Sequence, residues 1–535
     1  MSGPAIDLSH KISPYSLIGL AFLWASAYFV PPLTPKGVYF LSVPELLALI
    51  IPTVLTVVTV SLFFYAVCAA AQRFCSPHVA TGGAVVAISL LTLIGLKSVM
   101  YVAGYGWHNQ ISRGYDDPLS AQRFVKIAAF FIVLAILWGM RGALFKWGRV
   151  LSSLGLSFGA LAAIRLVILL TMSGSPAASS PSSVGLAIQP MKTSLSGAAS
   201  ENESAHPLSS DTKSRRVVWL IFDETDFNRV YAAPGAQQLN LPNFQGIARK
   251  SVFATNANSP ANATLYSIPA LLMGMPVGGN GVRIVNSGLL SLEGPDRQLV
   301  PFDEATSIFG ALSAEGRGAS VLGFYHPYCK LFRLQRCDSF TFPEPGGWDS
   351  ALLANVPDFI ASKIRSADNW DAITRDSLRL LPEYLMRDDS LTFVHLNVPH
   401  LPAFYADALN HETPSSNPLT EYSRNLMLAD RILGDIIEDL SKQVSSHEIL
   451  LVVSTDHWLR NGWYRPSVQD TSQPVPLIMW MVGETSGFVL NQPLSTVHTA
   501  AMILDYLHGN LRSQADIAKW WSTKPFYPSY IAPSS

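Results

Sequence analysis

The hydrophobic residues of the chain divide it into two unlike parts. Before about Met172, five apolar stretches are each long enough to cross the hydrocarbon core of a membrane as a helix of roughly 20 residues. They cover residues 13–32, 46–71, 80–104, 125–147 and 150–171. No signal-peptide cleavage pattern precedes the first stretch, so it is expected to remain as a helix. The pattern predicts a transmembrane domain in residues 1–172.

The second part, residues 216–535, has the pattern of an α/β domain. The run VVWLIF at 217–222 is apolar without interruption, as in a strand that is buried on both faces of a parallel sheet. A similar run lies at 449–453, and the preceding segment LADRILGDIIEDLSK spaces its apolar residues like an amphipathic helix. Helices that alternate with buried strands predict a mostly parallel central sheet.

A segment rich in Ser, Ala and Pro, residues 173–215, connects the two parts and shows no sustained periodicity. Such a segment cannot bury enough apolar surface to offset the entropy that it would lose on ordering. It is therefore predicted to be a flexible linker.

The distribution of basic residues predicts the orientation of the chain in the membrane. The short loop between the fourth and fifth predicted spans carries Arg141, Lys146 and Arg149, and the positive-inside rule favours a cytoplasmic position for it. Because the number of predicted spans is odd, the C-terminal domain is then expected on the other side. The sequence predicts an integral protein of the plasma (inner) membrane with an extracytoplasmic, periplasmic domain.

Composition supports the membrane assignment. Only 14% of the residues are charged, against roughly 25% in ordinary soluble domains. The formal net charge of −1 gives no indication of a nucleic-acid partner. Two charges, Lys97 and Arg165, lie inside predicted spans. They either extend to the outer lipid headgroups or contact the phosphate of a lipid substrate.

The C-terminal domain contains two cysteines, Cys329 and Cys337, in the sequence CKLFRLQRC. In an oxidising compartment, two cysteines so close in sequence are expected to close a short loop as a disulfide. The alternative is a pair of buried free thiols.

Acidic and imidazole side chains follow three strand-like runs. Asp223 and Glu224 follow the first, Asp456 and His457 follow the run at 449–453, and His400 follows a third run in SLTFVHLNVPHLPAFY. In open α/β sheets, ligands bind beyond the carboxyl ends of the strands. Carboxylates and imidazoles at that edge are the ligands of a divalent metal such as Zn²⁺ or Mn²⁺.

Thr264 lies between a polar loop and an apolar run in NSPANATLYSIPALLMG, residues 258–274. Two interpretations are open at this point. Thr is favoured where a helix begins, because its side chain can accept hydrogen bonds from unpaired N–H groups. A threonine hydroxyl can also act as a nucleophile when a metal or base activates it.

The order of these motifs resembles the alkaline phosphatase and sulfatase superfamily, most closely its membrane-bound branch of phosphoethanolamine transferases and lipoteichoic acid synthases. Those proteins have five spans followed by an extracytoplasmic catalytic domain. The resemblance implies that Asp223 and Glu224 match the acidic metal ligand after the first strand. It also implies that Asp456 and His457 match the late Asp-His metal pair, and that His400 matches a substrate-site histidine.

The stretch TLYSIPALLMG resembles the T-A-x-S-V-P pattern of the transferases through Thr264, Ser267 and Pro269. The resemblance implies that Thr264 is a metal-bound nucleophile. Sulfatases need a Cys or Ser that becomes formylglycine, and threonine cannot form that aldehyde. Their pattern also has an arginine where this chain has Ile268. The usual route of sulfate-ester hydrolysis is therefore not expected.

The chain departs from the family pattern after the Asp-His pair. Trp458 and Leu459 stand where Gly-Glu usually follows, and the additional histidine of the transferases has no clear counterpart. Arg460 and Arg465 occupy that neighbourhood. They either bind the phosphate of a substrate or belong to a solvated loop.

The resemblance implies a metal-dependent phosphotransferase anchored in the membrane. It would move a phospholipid headgroup, phosphoethanolamine or phosphoglycerol, to an envelope glycan or lipid through a phospho-threonine intermediate. Two alternatives stay open: a phosphoester hydrolase that uses water as the acceptor, and a catalytically silent membrane scaffold with this fold.

Overall fold

The computed structural model describes the C-terminal domain in six segments and a few single positions nearer the N-terminus. The segments are residues 214–231, 239–284, 289–340, 367–401, 417–460 and 472–532, and the single positions lie between 39 and 73 and between 153 and 167. The predicted spans and linker lie almost wholly outside the described residues. No helix among the described residues has the length and apolar character needed to cross a membrane.

The described elements alternate between strands and helices. The strands are β1 Ser214–Phe222, β2 Val252–Asn258, β3 Val282–Ile284, β4 Leu290–Glu293, β5 Leu299–Pro301, β6 Ala319–Phe324, β7 Arg336–Phe340, β8 Leu391–Leu396, β9 His447–Ser454, β10 Val475–Met481, β11 Phe488–Leu490 and β12 Leu494–Ser495. The α-helices are α1 Phe227–Tyr231, α2 Pro242–Arg249, α3 Thr264–Met273, α4 Ile308–Ala314, α5 Tyr328–Leu331, α6 Ala367–Leu385, α7 Pro418–Ser441, α8 Thr499–Leu507 and α9 Gln514–Ser522.

Nine of the described strands form one mostly parallel sheet, in the order β11-β2-β10-β9-β1-β8-β6-β7 with β12 also beside β2. The strands from β9 to β7 run parallel, and β10 is antiparallel to both of its neighbours. A smaller antiparallel sheet contains β3, β4 and β5. The prediction of an α/β domain with a mostly parallel central sheet is confirmed for this domain.

Strand β1 lies in the middle of the sheet and is buried on both faces. Val217, Trp219 and Ile221 pack into one hydrophobic core, while Val218 and Phe222 pack into the core on the other face. All of these side chains are fully buried. This explains why the sequence run is apolar without alternation. At about 1.5–3 kcal/mol for each buried apolar side chain, the run anchors the centre of the sheet.

Two element boundaries differ from the sequence prediction. Strand β1 begins at Ser214, two residues before the predicted domain start, because its first residues still pair with His447 and Glu448 of β9. Helix α7 extends further toward its N-terminus than the amphipathic segment, and the Asn417 side chain caps it by accepting a hydrogen bond from the Leu419 N–H. Both extensions depend on hydrogen bonds of polar residues, and the spacing of hydrophobic residues does not predict them.

Candidate active site

Three adjacent parallel strands, β9, β1 and β8, end at the same edge of the sheet. Asp223 follows β1, and its N–H donates to the Leu396 carbonyl at the end of β8 (3.0 Å). Glu224 turns the chain with a φ of 62°, and its N–H donates to Oδ1 of Asp456 (3.0 Å). The backbone of the first motif is thus bound directly to the carboxylate of the last, so the two acidic motifs of the sequence meet here.

Thr264 is the first residue of helix α3, and its hydroxyl points at this edge. Its Oγ1 donates to Oδ2 of Asp456 (2.7 Å) and lies 3.4 Å from Nε2 of His457. The helix cap position is Ala263, and no side-chain cap hydrogen bond forms there. The structure therefore does not support the interpretation of Thr264 as a helix cap.

The imidazole of His457 directs its Nε2 to the same point. Its Nδ1 contacts the Trp458 carbonyl (2.9 Å), which can only accept a hydrogen bond, so Nδ1 carries the proton. Nε2 faces Oδ2 of Asp456 at 3.3 Å and Oδ1 of Asp223 at 3.8 Å, and this nitrogen is the one that a cation at this point would bind. Two carboxylates and an imidazole nitrogen at these distances form a donor set for a cation.

A second imidazole, His395 of β8, belongs to this group although the sequence analysis did not single it out. Donor atoms of Asp223, His395 and Asp456 lie within 4.8 Å of one another, and all three residues are buried. Nε2 of His395 and Oδ1 of Asp223 have no hydrogen-bond partner among the described residues. Buried polar atoms without partners are rare, and a metal ion would satisfy both. The group therefore fits a divalent metal.

The pKa shifts of Asp223 and Asp456 agree with a metal site. Burial, together with the charges of Asp456 and Glu224, holds the pKa of Asp223 well above its usual range. Burial also acts to raise the pKa of Asp456, but His457 and His395 outweigh it, so that this pKa is low. Two carboxylates this close do not both ionise readily unless a cation shares the site.

Tyr328 of α5 contacts the ring nitrogen of His395 that does not face the metal group. Its hydroxyl lies 2.9 Å from Nδ1 of His395. Because Nε2 is directed at the metal group, Nδ1 carries the proton and donates it to the Tyr328 oxygen. Histidines that bind metals commonly donate their second ring N–H to a neighbouring acceptor in this way. The ring fits because β6 has Gly323 beside it, where a Cβ would lie 2.3 Å from a ring carbon of Tyr328.

The carboxylate of Glu224 contacts Arg460 and His400. Its Oε1 accepts from both the backbone N–H and Nε of Arg460, each at 3.1 Å, and its Oε2 lies 3.4 Å from Nε2 of His400. Burial opposes ionisation of Glu224, but His400 and Arg460 more than offset it and lower its pKa. Arg465 lies outside the described residues.

The tautomer of His400 follows from its neighbours. Nδ1 contacts the backbone carbonyl of Leu401, so Nδ1 is the protonated nitrogen. Burial lowers the pKa of His400, which favours the neutral ring. Its Nε2 therefore offers a lone pair, beside the Arg460 guanidinium at 3.4 Å.

Cys329 and Cys337 form a disulfide that joins α5 to β7. Tyr328 is adjacent to Cys329, so the bond restrains the segment that supports His395. We expect mass spectrometry of unreduced peptides from exported protein to detect the cross-linked pair. Replacement of both cysteines by serine should lower the free energy of unfolding by about 2–3 kcal/mol.

Peptides containing Cys68 and Cys75 provide the internal control for the disulfide, because these cysteines fall in or beside a predicted span and are expected to react with alkylating agent. Free thiols at both Cys329 and Cys337 would contradict the disulfide.

Several solved structures are similar to the chain. The C-terminal periplasmic domain of a phosphoethanolamine transferase from Campylobacter jejuni is 16% identical, with a TM-score of 0.35 over 55% of this chain and 90% of that chain. A phosphonate monoester hydrolase from Silicibacter pomeroyi is 17% identical, with a TM-score of 0.39 over 55% and 73% of the two chains. An alkaline phosphatase superfamily protein from Vibrio parahaemolyticus is 12% identical, with a TM-score of 0.37 over 59% and 71%.

No curated protein sequence matches the chain. Residues 324–509 match the family model described as Sulfatase. This range includes His395, His400, Asp456 and His457, whereas Thr264 lies before it. The resemblance to sulfatases therefore has the support of a family model over residues 324–509, within the C-terminal domain.

Proposed function

We propose that the protein is a membrane-anchored phosphotransferase that moves a phospholipid headgroup, phosphoethanolamine or phosphoglycerol, to an envelope glycan or lipid. Proteins with a sulfatase-type fold are phosphoester or sulfate-ester hydrolases or transferases, and they depend on a metal. The observation that carries the proposal is the hydrogen bond from the Thr264 hydroxyl to Asp456 inside a buried group of carboxylates and imidazoles. A hydroxyl in that position is suited to attack on phosphorus.

The residues at the sheet edge fit a resident divalent cation. Asp223, Asp456, His457 and His395 would hold it, with the Thr264 hydroxyl beside them. Their mixture of carboxylate oxygen and imidazole nitrogen suits Zn²⁺ or Mn²⁺. Such a cation, when bound, lowers the pKa of a neighbouring hydroxyl and offsets negative charge on phosphoryl oxygens.

In the first half of the reaction, Oγ1 of Thr264 attacks the phosphorus of the headgroup phosphodiester. The new oxygen–phosphorus bond forms while the bond from phosphorus to the diacylglycerol oxygen breaks. The hydroxyl proton passes to Oδ2 of Asp456, 2.7 Å away, and then to the departing diacylglycerol oxygen. The headgroup phosphate stays on Thr264 as a covalent intermediate.

In the second half, an acceptor hydroxyl attacks the same phosphorus. Nε2 of His400 carries a lone pair and accepts the proton of that hydroxyl, as a general base does. The bond to Thr264 breaks, the threonine oxygen takes up a proton from solvent, and His400 gives up to solvent the proton that it accepted, which regenerates the site. The Arg460 guanidinium, beside His400 and 29% exposed, is placed to bind a phosphoryl oxygen in both halves.

Incubation of detergent-purified full-length protein with labelled phosphatidylethanolamine and phosphatidylglycerol tests the proposal. We expect release of diacylglycerol from one of these lipids and transfer of its headgroup to an added envelope glycan or lipid acceptor. Release of free headgroup phosphate ester regardless of acceptor would instead favour the hydrolase. Absence of both product and bound metal would favour the silent scaffold.

The orientation in the membrane has its own test. A reporter that folds only outside the cytoplasm, fused after Ser535, should give signal in intact cells. The same fusion made with a reporter that is active only in the cytoplasm is the control and should be silent. The reverse result would overturn the predicted topology and remove the periplasmic acceptor from the proposal.

A further inference from the structure

One residue far from the domain in sequence is buried beside the nucleophile. Tyr39, which falls between the first two predicted spans, is only 1% exposed. Its hydroxyl lies 2.8 Å from Nδ1 of His326, and Nε2 of the same imidazole lies 3.1 Å from the backbone carbonyl of Thr264. A continuous chain of hydrogen bonds therefore links the N-terminal part of the protein to the first residue of α3.

The direction of each hydrogen bond in this chain follows from the acceptor at its end. The Thr264 carbonyl can only accept, so Nε2 of His326 carries the proton and donates it. His326 is fully buried and pairs with no carboxylate among the described residues, and a buried imidazolium without such a partner is costly, so the ring is neutral. Nδ1 is then unprotonated and has a lone pair, so the Tyr39 hydroxyl donates the hydrogen bond to Nδ1. Tyr39 thereby selects the tautomer that binds Thr264.

A second contact fixes Tyr39 through its backbone. Nζ of Lys330, in α5, donates to the Tyr39 carbonyl (3.1 Å). Lys330 is adjacent to Cys329, whose disulfide restrains α5. The tyrosine is therefore held from both its main chain and its hydroxyl, and its ring packs in the core on the Thr264 face of the sheet.

We propose that Tyr39 is a positioning residue for the nucleophile: through the tautomer of His326 it fixes the carbonyl of Thr264 and so the direction of the Thr264 hydroxyl. The N-terminal part of the chain then completes the active site of the C-terminal domain. The catalytic part of this inference rests on the proposed function, whereas the contact with His326 does not.

Nitrogen-15 NMR of histidine-labelled full-length protein in detergent tests the contact without any turnover. The His326 signal, assigned by its loss in His326→Gln, should show a protonated Nε2 and an unprotonated Nδ1. In Tyr39→Phe, the Nδ1 signal should shift because the ring keeps its place but loses the donor. The matched control is Tyr65→Phe, a tyrosine in the same part of the chain that is 41% exposed. An unchanged His326 signal in Tyr39→Phe would overturn the inference.

Kinetics test the positioning role. Loss of one neutral hydrogen bond corresponds to a factor of about 2–10, and we expect Tyr39→Phe to lower kcat by that factor while leaving KM and the melting temperature close to wild type. In a His326→Gln background, Tyr39→Phe should add no further loss, because Tyr39 acts through His326. An equal kcat in Tyr39→Phe and wild type would refute positioning. A wild-type protein without turnover would refute the proposed function alone, and the NMR result would still decide the contact.

Discussion

Replacement of Thr264 by alanine is expected to abolish turnover, with a loss of at least about a thousandfold, or roughly 4 kcal/mol in the barrier. The variant lacks the oxygen that would attack phosphorus. The other hydroxyl beside Asp456, that of Thr455, contacts Oδ1 rather than Oδ2 (3.4 Å) and also donates to the His457 carbonyl (3.0 Å). The fold should survive, because a hydrogen bond to a charged partner contributes only about 1.5–3 kcal/mol. Steady-state diacylglycerol release together with thermal unfolding would separate the two effects.

Two controls distinguish a nucleophilic role of Thr264 from a purely structural one. Thr264→Ser keeps a hydroxyl and should retain part of the activity. Thr255→Ala removes a threonine hydroxyl from β2 that bonds to the Leu490 carbonyl and Asn491, and it should leave turnover near wild type. A folded, fully active Thr264→Ala protein would remove the central residue of the proposed mechanism.

The second large effect concerns the metal. Purified protein is expected to carry roughly one divalent ion per chain, and the double substitution Asp456→Asn with His457→Ala should remove nearly all of it, since both donors converge on one point. Elemental analysis after gel filtration measures this directly. Equal metal content in the double variant and wild type would exclude these residues as ligands.

A pair of single variants tests which acidic residue after β1 belongs to the metal group. Asp223→Asn should weaken metal retention, because Oδ1 of Asp223 faces His457 and has no hydrogen-bond partner among the described residues. Glu224→Gln should retain more metal, because Oε1 of Glu224 accepts from Arg460 and the group of donor atoms within 4.8 Å of one another consists of Asp223, His395 and Asp456. The opposite ranking would return Glu224 to the ligand role that the family resemblance implies.

The elements of the C-terminal domain could be predicted where the residues of one segment are enough to indicate its structure. The uninterrupted apolar run of β1 predicts a central parallel strand, and the acids that follow it predict a site at the carboxyl edge. Because parallel strands end at one edge, Asp223 and Asp456 could be placed together before their distance was known. Thr264 was open between a helix entry and a nucleophile from its local pattern, and only the resemblance to the transferase pattern favoured the nucleophile.

Other site residues could not be predicted, because their roles depend on pairings across the fold. His395 lies inside an apolar strand, and its place among the metal donors depends on the neighbouring strand β1. His326 and Tyr39 are 287 positions apart, and no local pattern connects them. Asp223 and Glu224 make different contacts, and the positive φ of Glu224 that accompanies this difference cannot be read from adjacency in sequence.

The central claim is that Thr264 carries the headgroup phosphate during the reaction. Full-length protein incubated with labelled phospholipid donor and no acceptor, then quenched in acid and digested, allows the peptide that contains residues 258–274 to be analysed by mass spectrometry. The account predicts the headgroup phosphate on Thr264, and its removal when acceptor is added before the quench. Diacylglycerol release with no modification of Thr264 under any quench would contradict it.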